Sequence, residues 1–152
     1  MIQKMTFDIK SKEIVFNKAI IGHILNLSQK LPSNQHTNIG GWQYDFIVNG
    51  RPGPDWLNPI VSQIDRKIQR LWININGPGH YNEWHTHYHA KVGVIYLKVP
   101  LDSGDIEFRS YDEIYRITPQ AGQFLIFPGS LEHRVLENKS NEFRISLAIN
   151  LF

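Results

Sequence analysis

From residue 70 to the end, the chain breaks into short runs of alternating apolar and polar residues, most of them closed off by Gly, Pro, Asp or Asn. The runs fall at about 70–76, 82–88, 91–99, 105–110, 113–117, 123–127, 131–136 and 142–151. Alternation with period two puts one face of a segment inside and the other outside, as half-buried antiparallel strands require. Eight such strands in succession predict a mainly β double-sheet jelly roll, a double-stranded β-helix with space for a pocket between its sheets. At 152 residues the expectation is a single domain over 1–152, able to bury about two-thirds of the surface exposed by its unfolded chain.

The first part of the chain reads differently. Residues 1–10 alternate like a strand. A helix is expected from Asn17 as N-cap, with Ile20, Ile21, Ile24, Leu25 and Leu31 at helical spacing until Pro32 stops it. After "NGRPGPDW", Asn58 as N-cap and Pro59 at the first position open a second helix, striped by Ile60, Val61, Ile64, Ile68 and Leu71. Both stripes are one-sided, so two N-terminal helices packed on one sheet are expected.

Composition removes several functions. Cysteine is absent, and no segment approaches the ~20 apolar residues of a membrane span or resembles a secretion signal. A cytoplasmic protein is the expectation. The 16 basic and 14 acidic residues are scattered without a basic stripe, which points away from nucleic acid and membranes. A small molecule or a peptide is the expected partner, and nothing in the sequence opposes a homodimer.

Four of the seven histidines lie within "HYNEWHTHYH", residues 80–89. On a strand, Glu83, His85, His87 and His89 would share one face. Imidazole is the commonest metal ligand, and His-x-His offers two nitrogens to one ion without distorting the backbone. "GQFLIFPGSLEHRV" supplies a third candidate, His133, at the start of a returning strand. His89 is expected beside the ion as a pocket residue rather than a ligand. His23 reads as an exposed or packed helix residue, and His36 as loop.

In the final strand, "FRISLAINLF", Arg144, Ser146, Ala148 and Asn150 share one face, opposite Ile145, Leu147, Ile149 and Leu151. An arginine aimed at the interior needs an anionic partner. Either Glu107 or Glu132 could supply it across the sheet, or a ligand could.

The order His85, His133, Arg144-x-Ser146 resembles the Fe(II)/2-oxoglutarate-dependent dioxygenases, and more narrowly the small oxygenases of that group found in phages and marine bacteria. Those carry "N-x-GGW", "W-x-N", "H-x-H-P", "SGVYYL" and "RISIAFN"; the counterparts are "NIGGW" at 38–42, "WIN" at 72–74, "HTHY" at 85–88, "VGVIYL" at 92–97 and "RISLAIN" at 144–150. The resemblance implies that His85, His87 and His133 bind Fe(II), and that Arg144 and Ser146 clamp the distal carboxylate of 2-oxoglutarate, with Asn74 as a further donor to it. It also implies that dioxygen is consumed, that succinate and carbon dioxide are released, and that a substrate C–H bond is hydroxylated. Three departures stand out. His87 occupies the place of the usual carboxylate ligand, so a neutral three-histidine set and weaker metal binding are expected. Tyr88 replaces a proline. Ile95 stands where "YYL" has a tyrosine, so that tyrosine's contact with the co-substrate is expected to be missing.

"GQFLIFPGSLEH" also resembles the second cupin motif at Gly122, Pro128 and His133. A cupin-like metal protein that needs no 2-oxoglutarate is therefore the alternative, and a non-enzymatic barrel is a third reading. Arg144-x-Ser146 separates them, because a cupin has no use for it.

Overall fold

The computed structural model describes residues 7–34 and 38–152. Most of the strand expected over 1–10, and the loop histidine His36, lie outside these residues. The strands are β1 (Lys10–Glu13), β2 (Asn38–Ile39), β3 (Trp42–Ile47), β4 (Ile68–Asn76), β5 (Tyr81–His85), β6 (Lys91–Lys98), β7 (Ile106–Ser110), β8 (Glu113–Ile117), β9 (Gln123–Pro128), β10 (Glu132–Val135) and β11 (Arg144–Leu151). They form a major sheet in the order β1-β9-β6-β11-β4-β3 and a minor sheet in the order β2-β5-β10-β7-β8. Every pairing is antiparallel. The expected double-stranded β-helix is therefore the fold, and the eight expected strands correspond to β4 through β11.

Alternation sorts the major sheet's side chains onto two faces. In β9, Phe124 and Ile126 join one apolar cluster with Ile73, Ile95, Leu147 and Ile149, whereas Leu125 and Phe127 join another with Val92, Tyr96, Ile106 and Phe108. The first cluster lies under the N-terminal segment; the second lies between the sheets. All eight residues of β11 are buried, as expected of a central strand covered on both faces.

Only one of the two expected helices is a full helix. Helix α1 (Ala19–Ser28) sets Ile24 into the first cluster, flanked by Ile20, Ile21 and Leu25. Its N-cap is Lys18 rather than the expected Asn17, and carries no side-chain cap; the Asn17 side chain, one residue earlier, accepts from the Ala19 N–H at 2.9 Å. The second is reduced to a 3-10 turn at Asp55–Leu57 and the single turn α2 (Asn58–Val61). Pro59 does lie in its first turn, but Asn58 makes no side-chain cap. Ile68 and Leu71 continue the apolar stripe as part of β4, paired with Leu151 and Ile149 of β11. Their spacing fits helix and strand alike over so short a run, and pairing with the central strand decides in favour of strand.

Candidate metal and carboxylate site

The two sheets enclose a cavity that is partly open to solvent. The minor sheet contributes His85 and His133, which are register partners on β5 and β10. Their rings lie 4.2 Å apart between centroids. Each ring is fixed in the same way. Nδ1 of His85 lies 2.7 Å from the Glu83 carbonyl oxygen, and Nδ1 of His133 lies 2.9 Å from that of Leu131. A carbonyl only accepts, so each Nδ1 carries the proton and each Nε2 keeps a lone pair. Burial lowers the pKa of His85, against the opposing effect of its bond to Glu83. Burial, reinforced by His85 and His87, pushes His133 down to about 3. Both rings are neutral at pH 7, the form that binds a metal.

His87 reaches the same place by another route. Strand β5 ends at His85, so the shared strand face expected for residues 83–89 stops there. The chain then bends, and the His87 N–H donates to the Gly129 carbonyl at 2.8 Å, while the Gly129 N–H donates to Ala90 at 3.2 Å. A Cβ on Gly129 would collide with the His89 carbonyl oxygen and press on that of His87. The missing side chain is what lets this loop close over the β9–β10 turn. One ligand nitrogen from each of His85, His87 and His133 falls within 4.8 Å of the others, and an ion at ~2.1 Å from each nitrogen would draw them together. The donor set fits a divalent metal, with open coordination positions left over. His89 and Glu83 are outside the trio and do not line the cavity. His23 is exposed and packs edge-on against Trp56, 4.5 Å away.

On the major sheet, Arg144 is only 3% exposed. Its Nη1 donates to the carbonyls of Ser103 at 2.6 Å and Gly104 at 3.0 Å. Gly104, at φ +104°, permits the turn that aims those carbonyls; a Cβ there would strike the Leu136 carbonyl. Neither expected acid is its partner. Glu107 is held by Arg116 and Arg134, and Glu132 by Arg109. Among the described residues Arg144 forms no ion pair, so a buried guanidinium lines the cavity without a counter-charge. Burial lowers its pKa, with Tyr96 acting in the opposite sense.

Gln43, Asn74, Ser146 and Tyr96 form one row across four strands, and all four line the cavity. Asn74 accepts from the Gln43 side-chain amide, which leaves the Asn74 NH2 group to other partners. Position 95, where a tyrosine contact was expected to be missing, does not face the cavity. Ile95 points to the opposite face, into the cluster under α1, and the neighbouring Tyr96 occupies the cavity wall. Strand alternation around "VIYL" carried that signal. Burial, which Arg144 opposes and Asp105 reinforces, raises the Tyr96 pKa to about 12, so the phenol stays protonated.

Several of the large aromatic residues lie away from the cavity. Trp42 and Tyr44 stack on one another in a ladder continued by Phe46 and Trp56. Trp84 lies under Arg109 and Arg134. Tyr88 is fully exposed at the tip of the His87 loop. The rings that do line the cavity, besides the histidines, are Trp72, Tyr96 and Phe127.

A family model described as "Putative 2OG-Fe(II) oxygenase" matches residues 109–150, the stretch that holds His133, Arg144 and Ser146. No curated protein matches the sequence. Among solved structures, a prolyl hydroxylase from Trichoplax adhaerens, in complex with a hypoxia inducible factor oxygen degradation domain peptide fragment, superposes with a TM-score of 0.76. It is 15% identical, over 99% of this chain and 86% of the other. An oxidoreductase of the 2OG-Fe(II) oxygenase family from Burkholderia pseudomallei gives 0.68 at 17% identity, over 94% and 84%. A viral collagen prolyl hydroxylase from Paramecium Bursaria Chlorella virus-1, solved as a 2OG complex, gives 0.66 at 14% identity, over 94% of each chain. No described helix is long and apolar enough to cross a membrane. The chain has the fold of the 2OG-Fe(II) oxygenases, and its C-terminal strands match that family's own model.

Proposed function

We propose that the protein is an Fe(II)- and 2-oxoglutarate-dependent oxygenase that hydroxylates a substrate C–H bond. The observation that carries this reading is Arg144. A guanidinium buried without an acid, in the same cavity as a convergent histidine trio, supports a dicarboxylate that spans the two. Its planar fork suits a carboxylate, and the Ser146 hydroxyl adds a donor close by. His85, His87 and His133 would hold the metal, and Asn74 and Tyr96 would donate to the co-substrate from the cavity wall. Bound Fe(II) would supply the redox chemistry that turns 2-oxoglutarate and dioxygen into succinate, carbon dioxide and a hydroxylated product. The protein's own part is to bring three imidazoles together, keep those of His85 and His133 neutral, place a cation opposite them and limit the entry of water.

Calorimetric titration of 2-oxoglutarate into the Mn(II)-loaded protein without oxygen tests this directly. Saturable, metal-dependent binding is expected, followed by succinate formation when Fe(II) and air replace Mn(II). No binding at millimolar 2-oxoglutarate would remove the reading and leave the cupin-like one, for which Arg144 has no role.

A further inference from the structure

The cavity has a second end, away from Arg144. The cavity face of β11 runs Arg144, Ser146, Ala148, Asn150, so Asn150 lies ~20 Å from Arg144 along the strand. The metal-binding trio faces the far part of this row. His87 lies 6.3 Å from the Trp72 ring, and Trp72 is the register partner of Ala148. His133 lies 4.8 Å from Phe127, which pairs with Val92, and Val92 pairs with Asn150. Arg144 and Ser146 are thus at one end of the row, and the trio sits level with the other end, that of Ala148 and Asn150.

Asn150 is 6% exposed, lines the cavity, and has a buried side-chain oxygen without a hydrogen-bond partner. Leaving such an acceptor unpaired is destabilising, and most buried polar groups avoid it. Its register partners are Arg70 and Val92, and Trp72, Val94, Phe127 and Ala148 add apolar wall to the cavity. At the edge, Arg70 is spent on a two-point pair with Asp45, at 3.0 and 2.8 Å, and sits over Trp72 at 5.8 Å. The pair adds no net charge to this end.

Resting on the oxygenase reading, we propose that Asn150 is the substrate-reading residue of a subsite for an uncharged group with an N–H donor on apolar surface, the chemistry of a peptide-like amide. The soft terminal torsion of asparagine lets its amide swing to meet the donor. Carboxylate, phosphate and ammonium groups are disfavoured, because nothing at this end compensates their charge.

Four matched probes test the subsite: N-acetylalaninamide, N-acetylproline dimethylamide without an N–H, N-acetylalanine as the anion and alaninamide as the cation. Enhanced proton relaxation by the Mn(II)-loaded protein reports binding beside the ion, with and without 2-oxoglutarate. N-acetylalaninamide is expected to bind about tenfold more tightly than the other three, the weight of one hydrogen bond. Asn150→Leu should abolish that preference while leaving Mn(II) and 2-oxoglutarate affinity unchanged. Asn150→Asp, which keeps the side-chain shape, should turn the preference toward alaninamide. Equal binding of the probes, no binding by any of them, or a preference unaffected by both substitutions would overturn the subsite. Loss of 2-oxoglutarate binding in the wild type would instead overturn the oxygenase reading, since the probes are also read without it.

Discussion

The two sheets solve the burial problem in opposite ways. The major sheet is buried on both faces around β11, with α1 covering its apolar side and the cavity on the other. The minor sheet turns its outer face to solvent. There Trp84 is covered by Arg109 and Arg134, at 4.2 and 4.6 Å, and Glu107, 2% exposed, is clasped by Arg116 and Arg134. The chemistry divides along the same line. The thick, doubly buried sheet carries the lone cation, whose cost in water makes it a receiver for anions. The thin sheet carries two histidines, and a loop beside it carries the third. Anion and metal affinity should therefore be separable, and each substitution below either splits them or shows that they are one.

The largest effect is expected for Arg144→Ala. Removing a charge-assisted partner in a buried pocket costs about 2–5 kcal/mol, roughly thirty-fold to several-thousand-fold in 2-oxoglutarate affinity. Mn(II) affinity should barely change, and calorimetry measures both. The converse change, His133→Ala, should weaken metal binding by more than about a hundred-fold, since even partners that only orient a ligand are worth 10–100-fold. An unchanged metal isotherm would take His133 out of the ligand set. Gly129→Ala touches no ligand side chain, yet it must displace the His87 loop. A loss of about tenfold in metal affinity is expected, with Arg144 chemistry intact; full affinity would mean that His87 binds without its pinned loop.

A last effect, on stability rather than affinity, concerns acid. His133 has its pKa lowered on folding, so between about pH 6.5 and 3 the unfolded chain binds a proton that the folded one refuses. Stability of the metal-free protein should fall as pH drops through that window, by up to about 1.4 kcal/mol per pH unit. Glu107 adds to this only at lower pH: burial raises its pKa, but Arg116 and Arg134 outweigh that and hold it below its ordinary value. Its stabilisation is present above the ordinary carboxyl range and is lost below it. Denaturant midpoints from pH 7 to 4 follow His133, and a flat profile would mean that it is not buried neutral.

Strand alternation made the barrel legible, because period two in β4 to β11 is both local and strong. The ends of elements were less so. Ile68 and Leu71 satisfied two periods at once, and only pairing with β11 resolved them. At the site, His85, His133 and Arg144 followed from which strand face they occupy. His87 reached the trio for a different reason from the one the pattern suggests, since a backbone bond to Gly129 does the work that strand direction was expected to do. Tyr96 and Asn150 were readable as cavity-facing. What no sequence pattern states is that Glu107 and Glu132 are taken by other arginines, and the role of Arg144 depends on that.

The register of the major sheet also sets a pace. Lys10 pairs with Ile126, and Arg144 with Asn76, so most of its ladders close loops of many tens of residues. In the minor sheet the β7–β8 hairpin is local by contrast. Chains dominated by distant pairings fold on the millisecond-to-second scale, because the closure entropy is lost before the contacts form. The hairpin can form early, whereas the meeting of His85 with His133 must wait for strands far apart in the chain. Metal capture is then a late event in folding, one that reports the completed barrel rather than its beginnings.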